Sequence, residues 1–243
     1  MKTLAAALTL GLLLSGAAGA QTTGTVFGPE TALGDREWSY RIAAGLEDSG
    51  GEAGFAQRVH YHQAVSDSLR WRALASWADP VGGDVELDHV QAELLWQIIE
   101  RTPSGYSSGL RFDARVAEGD DVPHEIGVNW ANQWVFDGGW RVRALLLLDR
   151  DVGPRANDDW IVETRASLYR SLDNGLSVGL ESFNAFGGID AGFGGFDDQA
   201  HQIGPVVSGD LTDRVEWSAG VLFGLSDGAD EQDFMLRLTR PLD

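Results

Sequence analysis

Ten arginines recur in one alternating register of this chain: Arg41, Arg58, Arg70, Arg72, Arg111, Arg115, Arg141, Arg143, Arg165 and Arg237. The same register holds Glu93, Asp113, Glu125, Asp149, Glu163, Glu181 and Glu216, with the amides Gln91, Gln97, Asn129 and Gln133. A guanidinium grips carboxylate or phosphate in a planar fork, so such a set could recognise anionic solutes. It could also pair with itself across strands and stiffen a wall. Arg111 and Arg115 flank Asp113, and Glu93 and Glu125 are their candidate partners. The five histidines, His60, His62, His89, His124 and His201, carry less. None stands two residues before a serine on one face, the spacing a barrel phospholipase needs. His60 and His62 share a face, but His89 falls two runs further on, so no metal site is predicted. There is no cysteine and no Gly-rich phosphate loop. The reading is therefore not an enzyme, with no cofactor.

The elements that must carry these residues are strands. About twelve runs with period-two alternation follow from residue 37 onward, each near the roughly 9–11 residues a tilted strand needs to cross a bilayer. The register opposite the arginines is bulky and apolar, and the nine tryptophans fall in it. Trp71, Ala73, Ala75 and Trp77 form one such row; Trp217, Ala219, Val221 and Phe223 form another. Turning that row outward suits lipid, with aromatics at the interfaces. Trp38, Trp71, Trp134, Trp140 and Trp217 are expected near one rim, and Trp77 and Trp160 near the other. Connections alternate between tight turns, such as Asp137–Gly139 and Asp173–Gly175, and longer acidic loops, such as Arg150–Asp159 and Gly187–Asp198. Short turns on one rim and long loops on the other are the layout of a bacterial outer-membrane barrel.

The ends and the charge agree with export. Lys2, the apolar stretch from Leu4 to Leu14 and the small residues Ala18-Gly19-Ala20 make residues 1–20 a signal peptide. Residues 21–36 read as a polar leader, and 37–243 as the barrel, with no plug expected. A net charge of −19 disfavours nucleic acid. Acidic loop residues, among them Asp48, Glu52, Asp120, Asp121, Asp158 and Asp198, suggest a solvated outer rim, or bridging by divalent cations to lipopolysaccharide.

From about Ser104 onward the chain resembles a known group. The segments Gly109-Leu110-Arg111-Phe112-Asp113, Gly127-Val128-Asn129-Trp130, Glu181-Ser182-Phe183-Asn184 and His201-Gln202-Ile203-Gly204-Pro205-Val206-Val207 carry the likeness. They resemble uncharacterised proteobacterial outer-membrane barrels, near the group named for the MetA pathway of phenol degradation. The resemblance implies a barrel and possible solute transport, with no catalytic residues. Barrels of this class usually end in an aromatic residue, whereas this chain ends Arg240-Pro241-Leu242-Asp243.

The expectation is an all-β, antiparallel, up-and-down transmembrane β-barrel of about 12 strands in the outer membrane of a Gram-negative bacterium. Its expected lumen is lined by Arg70, Arg72, Glu93, Arg111, Asp113, Arg115, Glu125, Arg141, Arg143, Glu163, Arg165 and Glu181. Expected partners are outer-membrane lipids and lipopolysaccharide, the barrel assembly machinery and small anionic solutes. The implied role is a narrow passive channel for small hydrophilic or anionic solutes. The alternative is a closed structural or surface-interaction barrel with acidic loops.

Overall fold

The computed structural model describes residues 23–46, 54–79, 84–119 and 122–242. The predicted signal peptide and the loop acids Asp48, Glu52, Asp120 and Asp121 lie outside the described residues. Twelve strands follow in chain order: β1 (Arg36–Leu46), β2 (Gly54–Ala64), β3 (Leu69–Asp79), β4 (Glu86–Ile99), β5 (Tyr106–Ala117) and β6 (His124–Phe136). The second half adds β7 (Trp140–Val152), β8 (Trp160–Ser171), β9 (Ser177–Gly188), β10 (Ala200–Thr212), β11 (Val215–Gly224) and β12 (Gln232–Pro241). Each strand pairs antiparallel with its chain neighbours, and β1 pairs with β12, so the sheet closes into a barrel without an edge. The β6–β7 connection is a single turn over Asp137–Gly139, with Gly138 at φ 77° and Gly139 at φ 78°. Only glycine accepts that conformation freely, so the Gly-Gly pair fixes a tight hairpin.

Closure sorts the two registers. Leu94, Phe112, Ile126, Leu180, Phe234 and Leu236 are each more than 40% exposed on the outer wall. So wide an apolar surface is unfavourable in water and favourable against lipid. The tryptophans share this parity. At the short-turn rim Trp38 and Trp71 flank Tyr61 at ring-centroid distances of 5.1 and 5.4 Å, and Trp134 lies 5.3 Å from Tyr106. Trp140 begins β7 on the same rim, and Trp217 follows the start of β11. Trp77 and Trp160 stand at the loop ends of β3 and β8.

A few polar side chains also face outward, and they satisfy one another. Asn132 Oδ1 accepts from Tyr106 Oη at 2.8 Å and from Ser108 Oγ at 3.2 Å. Trp130 Nε1 in turn donates to Ser108 Oγ at 2.9 Å. An unsatisfied amide against hydrocarbon would cost several kcal/mol, roughly. The aromatic neighbours remove that cost while keeping the surface apolar.

The structure places the polar leader, for which no plug is expected from the sequence: residues 23–30 run inside the barrel, and residues 32–35 are exposed. Val26 and Phe27 are 3% and 8% exposed and pack against the inner-face residues Leu95, Ala131, Leu145, Leu147, Phe183 and Leu222. The physical reason is that belt. Leucines and a phenylalanine pointing into water would leave apolar area exposed, and Val26 and Phe27 cover it. The lumen thus has a dry apolar middle within a polar wall.

Candidate functional site

The site is the inner wall together with the N-terminal segment. On β3 to β6 and β8 the charges pair. Glu93 accepts from Arg72 Nη2 at 2.6 and 2.5 Å through its two carboxylate oxygens, and Arg111 Nη1 lies 3.6 Å away. Arg111 Nε also donates to Asp113 at 3.2 Å, and Asn129 Nδ2 reaches the same carboxylate oxygen. Arg115 meets Glu125, directly opposite it in the register, at 2.5 Å. Arg165 meets Glu163 at 2.8 Å. Asp113, Glu125 and Asp149 converge above Gly127, where an added Cβ would collide with Asp149 Oδ1 and lie 2.6 Å from Asp113 Oδ1. The missing side chain is what lets those carboxylates meet.

The other arginines are arranged differently. Register places Arg237, Arg41 and Arg58 side by side across β12, β1 and β2. Arg41 and Arg58 are buried. None of the three makes an ion pair with a carboxylate among the described residues. Instead, several arginines hold the N-terminal segment by its backbone. Arg41 Nη1 donates to the Thr23 carbonyl and Arg143 Nη1 to the Val26 carbonyl, both at 3.1 Å, and Arg70 Nη1 reaches the Glu30 carbonyl at 3.5 Å. The Arg111 guanidinium stacks 4.3 Å over the Phe27 ring. Arg143 Nε further donates to Gln133 at 2.6 Å, and Arg141 lies over the Tyr169 ring at 5.7 Å. Tyr169 Oη donates to Glu181 at 2.7 Å.

Past its buried part the segment is anchored at the short-turn rim. Glu30 takes a two-pronged contact from Arg101, at 2.7 and 2.5 Å, and a third bond from Ser107 at 3.1 Å. Burial alone would raise the Glu30 pKa, but the Arg101 and Ser107 hydrogen bonds outweigh it and hold it below the ordinary carboxylate range. The Thr31 amide adds a bond to Gln97 Oε1 at 3.0 Å. Two cavities of about 10 and 30 Å³ flank the segment, room for little more than one or two waters each.

Of the residues picked out as lumen-lining, all twelve lie in the inward register. Arg70, Arg111 and Arg143 are the ones that touch the N-terminal segment. Arg41, Arg58, Arg237 and Glu30 were not on that list. The sequence signal for Glu30 was weak; the signal for the segment was the Val26-Phe27 pair inside an otherwise polar stretch. The histidines divide. Glu37 lies 3.6 Å from His60 Nε2 and 3.8 Å from His62 Nδ1, a grouping that puts three possible ligand atoms within 4.8 Å of one another. Arg41, Arg70 and Arg72 crowd the two rings, which disfavours a cation there. His89 pairs instead with Asp88 at 2.6 Å. His201 faces outward, with Nδ1 3.0 Å from Asn184 Oδ1 and Nε2 2.9 Å from Gln199 Oε1, so neither ring nitrogen addresses a serine hydroxyl.

No protein-family model and no curated protein matches the chain. Solved structures do. The COG4313 outer membrane channel from Pseudomonas putida F1 superposes with a TM-score of 0.65 at 11% identity, covering 87% of this chain and 97% of that one. The NanC porin matches at 0.59 and 9%, covering 84% and 99%. The KdgM porin matches at 0.58 and 10%, covering 85% and 99%, and is also known in complex with disordered oligogalacturonate. At such identities the likeness establishes a shared fold: the barrel of outer-membrane proteins.

Proposed function

We propose that this protein is a narrow, porin-like passive channel in the Gram-negative outer membrane, for small hydrophilic or anionic solutes. One observation carries the reading: Arg41, Arg58, Arg70, Arg143 and Arg237 of the inner wall make no ion pair with a carboxylate among the described residues, and Arg41, Arg70 and Arg143 donate to backbone carbonyls of the N-terminal segment. An ion-pair network built for rigidity would match each cation with an anion, as happens at Arg72, Arg111 and Arg115. Cations left unmatched in an enclosed lumen favour anions over cations in transit. The structural relatives with the same barrel are described as channels and porins. The motifs around Arg111, Asn129, Glu181 and His201 support a kinship with the phenol-degradation barrel group. Outer-membrane lipids and lipopolysaccharide are the partners of the apolar wall, and the barrel assembly machinery its route of insertion. No catalytic residue and no cofactor enters this reading.

The test is the reversal potential of the folded protein in a planar bilayer under a potassium chloride gradient. The expected sign is that of anion preference, weakened in an Arg58→Gln, Arg237→Gln double variant. Cation preference would contradict the reading.

A second reading has its own observation. The segment fills the middle of the lumen, as it would in a closed structural barrel whose acidic loops are the working part. Under that reading removal of residues 23–35 leaves the bilayer without current.

A further inference from the structure

We propose that Arg237, Arg41 and Arg58 form a binding site for an oxyanion of the phosphate or carboxylate type, and that its occupation releases the N-terminal segment from the lumen. The proposal deepens the channel reading and takes its biological sense from it, but it is tested by binding rather than by current.

The row is built by closure of the barrel. Arg41 lies opposite Arg237 on one side and opposite Arg58 on the other, so three guanidiniums stand on adjacent strands of one face. Directly opposed residues have Cβ atoms roughly 4.5–5.5 Å apart, and like charges at that spacing repel. Burial sharpens the repulsion. Arg41 and Arg58 are 6% and 8% exposed, and the Nε of each has no hydrogen-bond partner among the described residues. No carboxylate makes an ion pair with the row among the described residues. Glu93 belongs to Arg72 and Arg111, Glu181 to the Tyr169 hydroxyl, and Glu37 faces His60 and His62. A row of buried forks with free donors and no anion is chemically incomplete, and an oxyanion supplies what it lacks.

The coupling to the segment follows from space and from bond strength. The cavity beside Arg41 and Arg237 is about 30 Å³ and is walled on one side by Thr23, Gly24 and Thr25. A phosphate bound to Arg41 and Arg237 there competes with the segment for space. The segment's hold on this row is a single neutral acceptor, the Thr23 carbonyl on Arg41. An oxyanion offers the guanidinium two parallel bonds and an opposite charge, where the carbonyl offers one bond and none. The anion therefore takes Arg41 from Thr23 and pushes residues 23–25 off the wall. Val26 and Phe27 are held by the Arg143 bond, the Arg111 stack and the apolar belt, and they loosen only after residues 23–25 have left the wall. Anchoring at Glu30 by Arg101 keeps the far end tethered, so the segment swings rather than leaves.

The experiment uses the full chain, folded in detergent. The sequence contains no cysteine, so Val26→Cys gives a single thiol at a position buried by the segment. Its reaction with a maleimide is timed in sodium phosphate and in sodium chloride at matched ionic strength. The expected result is labelling several-fold faster in phosphate, with the acceleration absent when Arg58→Gln and Arg237→Gln are added. Heat-shifted gel mobility confirms that each variant is folded; if the double variant fails to fold, Arg58→Lys, which keeps the charge but loses the fork, is expected to cut the acceleration. Equal labelling in the two salts, or an acceleration untouched by the arginine substitutions, overturns the proposal. Phosphate-dependent labelling in a protein that never conducts would instead sink the channel reading and leave this site standing.

Discussion

Two regions of one wall use arginine in opposite ways. On β3 to β5, Arg72, Arg111 and Arg115 each meet a carboxylate across or along the sheet: Arg72 and Arg111 meet Glu93, and Arg115 meets Glu125. On β12, β1 and β2 the guanidiniums stand beside one another, and the acceptor that Arg41 finds belongs to the backbone of the N-terminal segment. The first region is closed chemistry: its charges are spent on each other and on rigidity. The second is open chemistry, since its donors are engaged weakly or not at all. The difference lies in what neighbours each cation, and not in how many arginines each region holds.

Substitutions should separate the two regions sharply. The largest effect is expected at Glu93. Glu93→Gln leaves the half-buried Arg72 and the buried Arg111 without their shared carboxylate, and breaking a buried pair from one side costs about 3–5 kcal/mol. Thermal unfolding of the detergent-folded barrel should fall markedly. Arg58→Gln, in the open region, removes a like-charge neighbour and should leave the unfolding temperature unchanged or raise it. A drop at Arg58 as large as that at Glu93 would erase the distinction.

A smaller effect is expected from acid. The folded Glu30 pKa lies below its unfolded value, so the Arg101–Glu30 anchor stabilises the docked segment above the ordinary carboxylate range and loses that contribution as pH falls through the lowered pKa. The pair is partly exposed, so the effect is modest. Fluorescence of a label placed on the segment should report looser docking in acid, and Glu30→Gln should show that looseness already at neutral pH. A wild-type acid transition that survives unchanged in Glu30→Gln would assign it elsewhere.

Much of the wall was legible in the sequence, because a period of two sorts every residue to one face once the strand is recognised. The run Ala144–Leu148 is apolar throughout and shows no alternation of its own; the flanking Arg141, Arg143 and Asp149 set its register, turning Leu145 and Leu147 inward. Ion pairs between sequence-adjacent strands, such as Arg115 with Glu125, could be anticipated from their common face. The Arg237–Arg41 contact could not, since it exists only because the last strand meets the first. The docked segment was hardest to see. Its bonds run from arginine side chains to the carbonyls of Thr23, Val26 and Glu30, and a backbone carbonyl has no identity in a sequence. The clue that was present lay on the wall: Leu95, Leu145, Leu147, Phe183 and Leu222 make an apolar belt with no lipid to face.

In the proposed channel, that belt and the arginines beside it make the N-terminal segment the stopper of an anion-preferring lumen. The most direct measurement is single-channel conductance in planar bilayers of the intact chain beside a variant lacking residues 23–35. The expected result is a several-fold larger conductance in the shortened protein, with anion preference retained. Equal conductance in the two proteins, or a shortened barrel that passes no current, would contradict it.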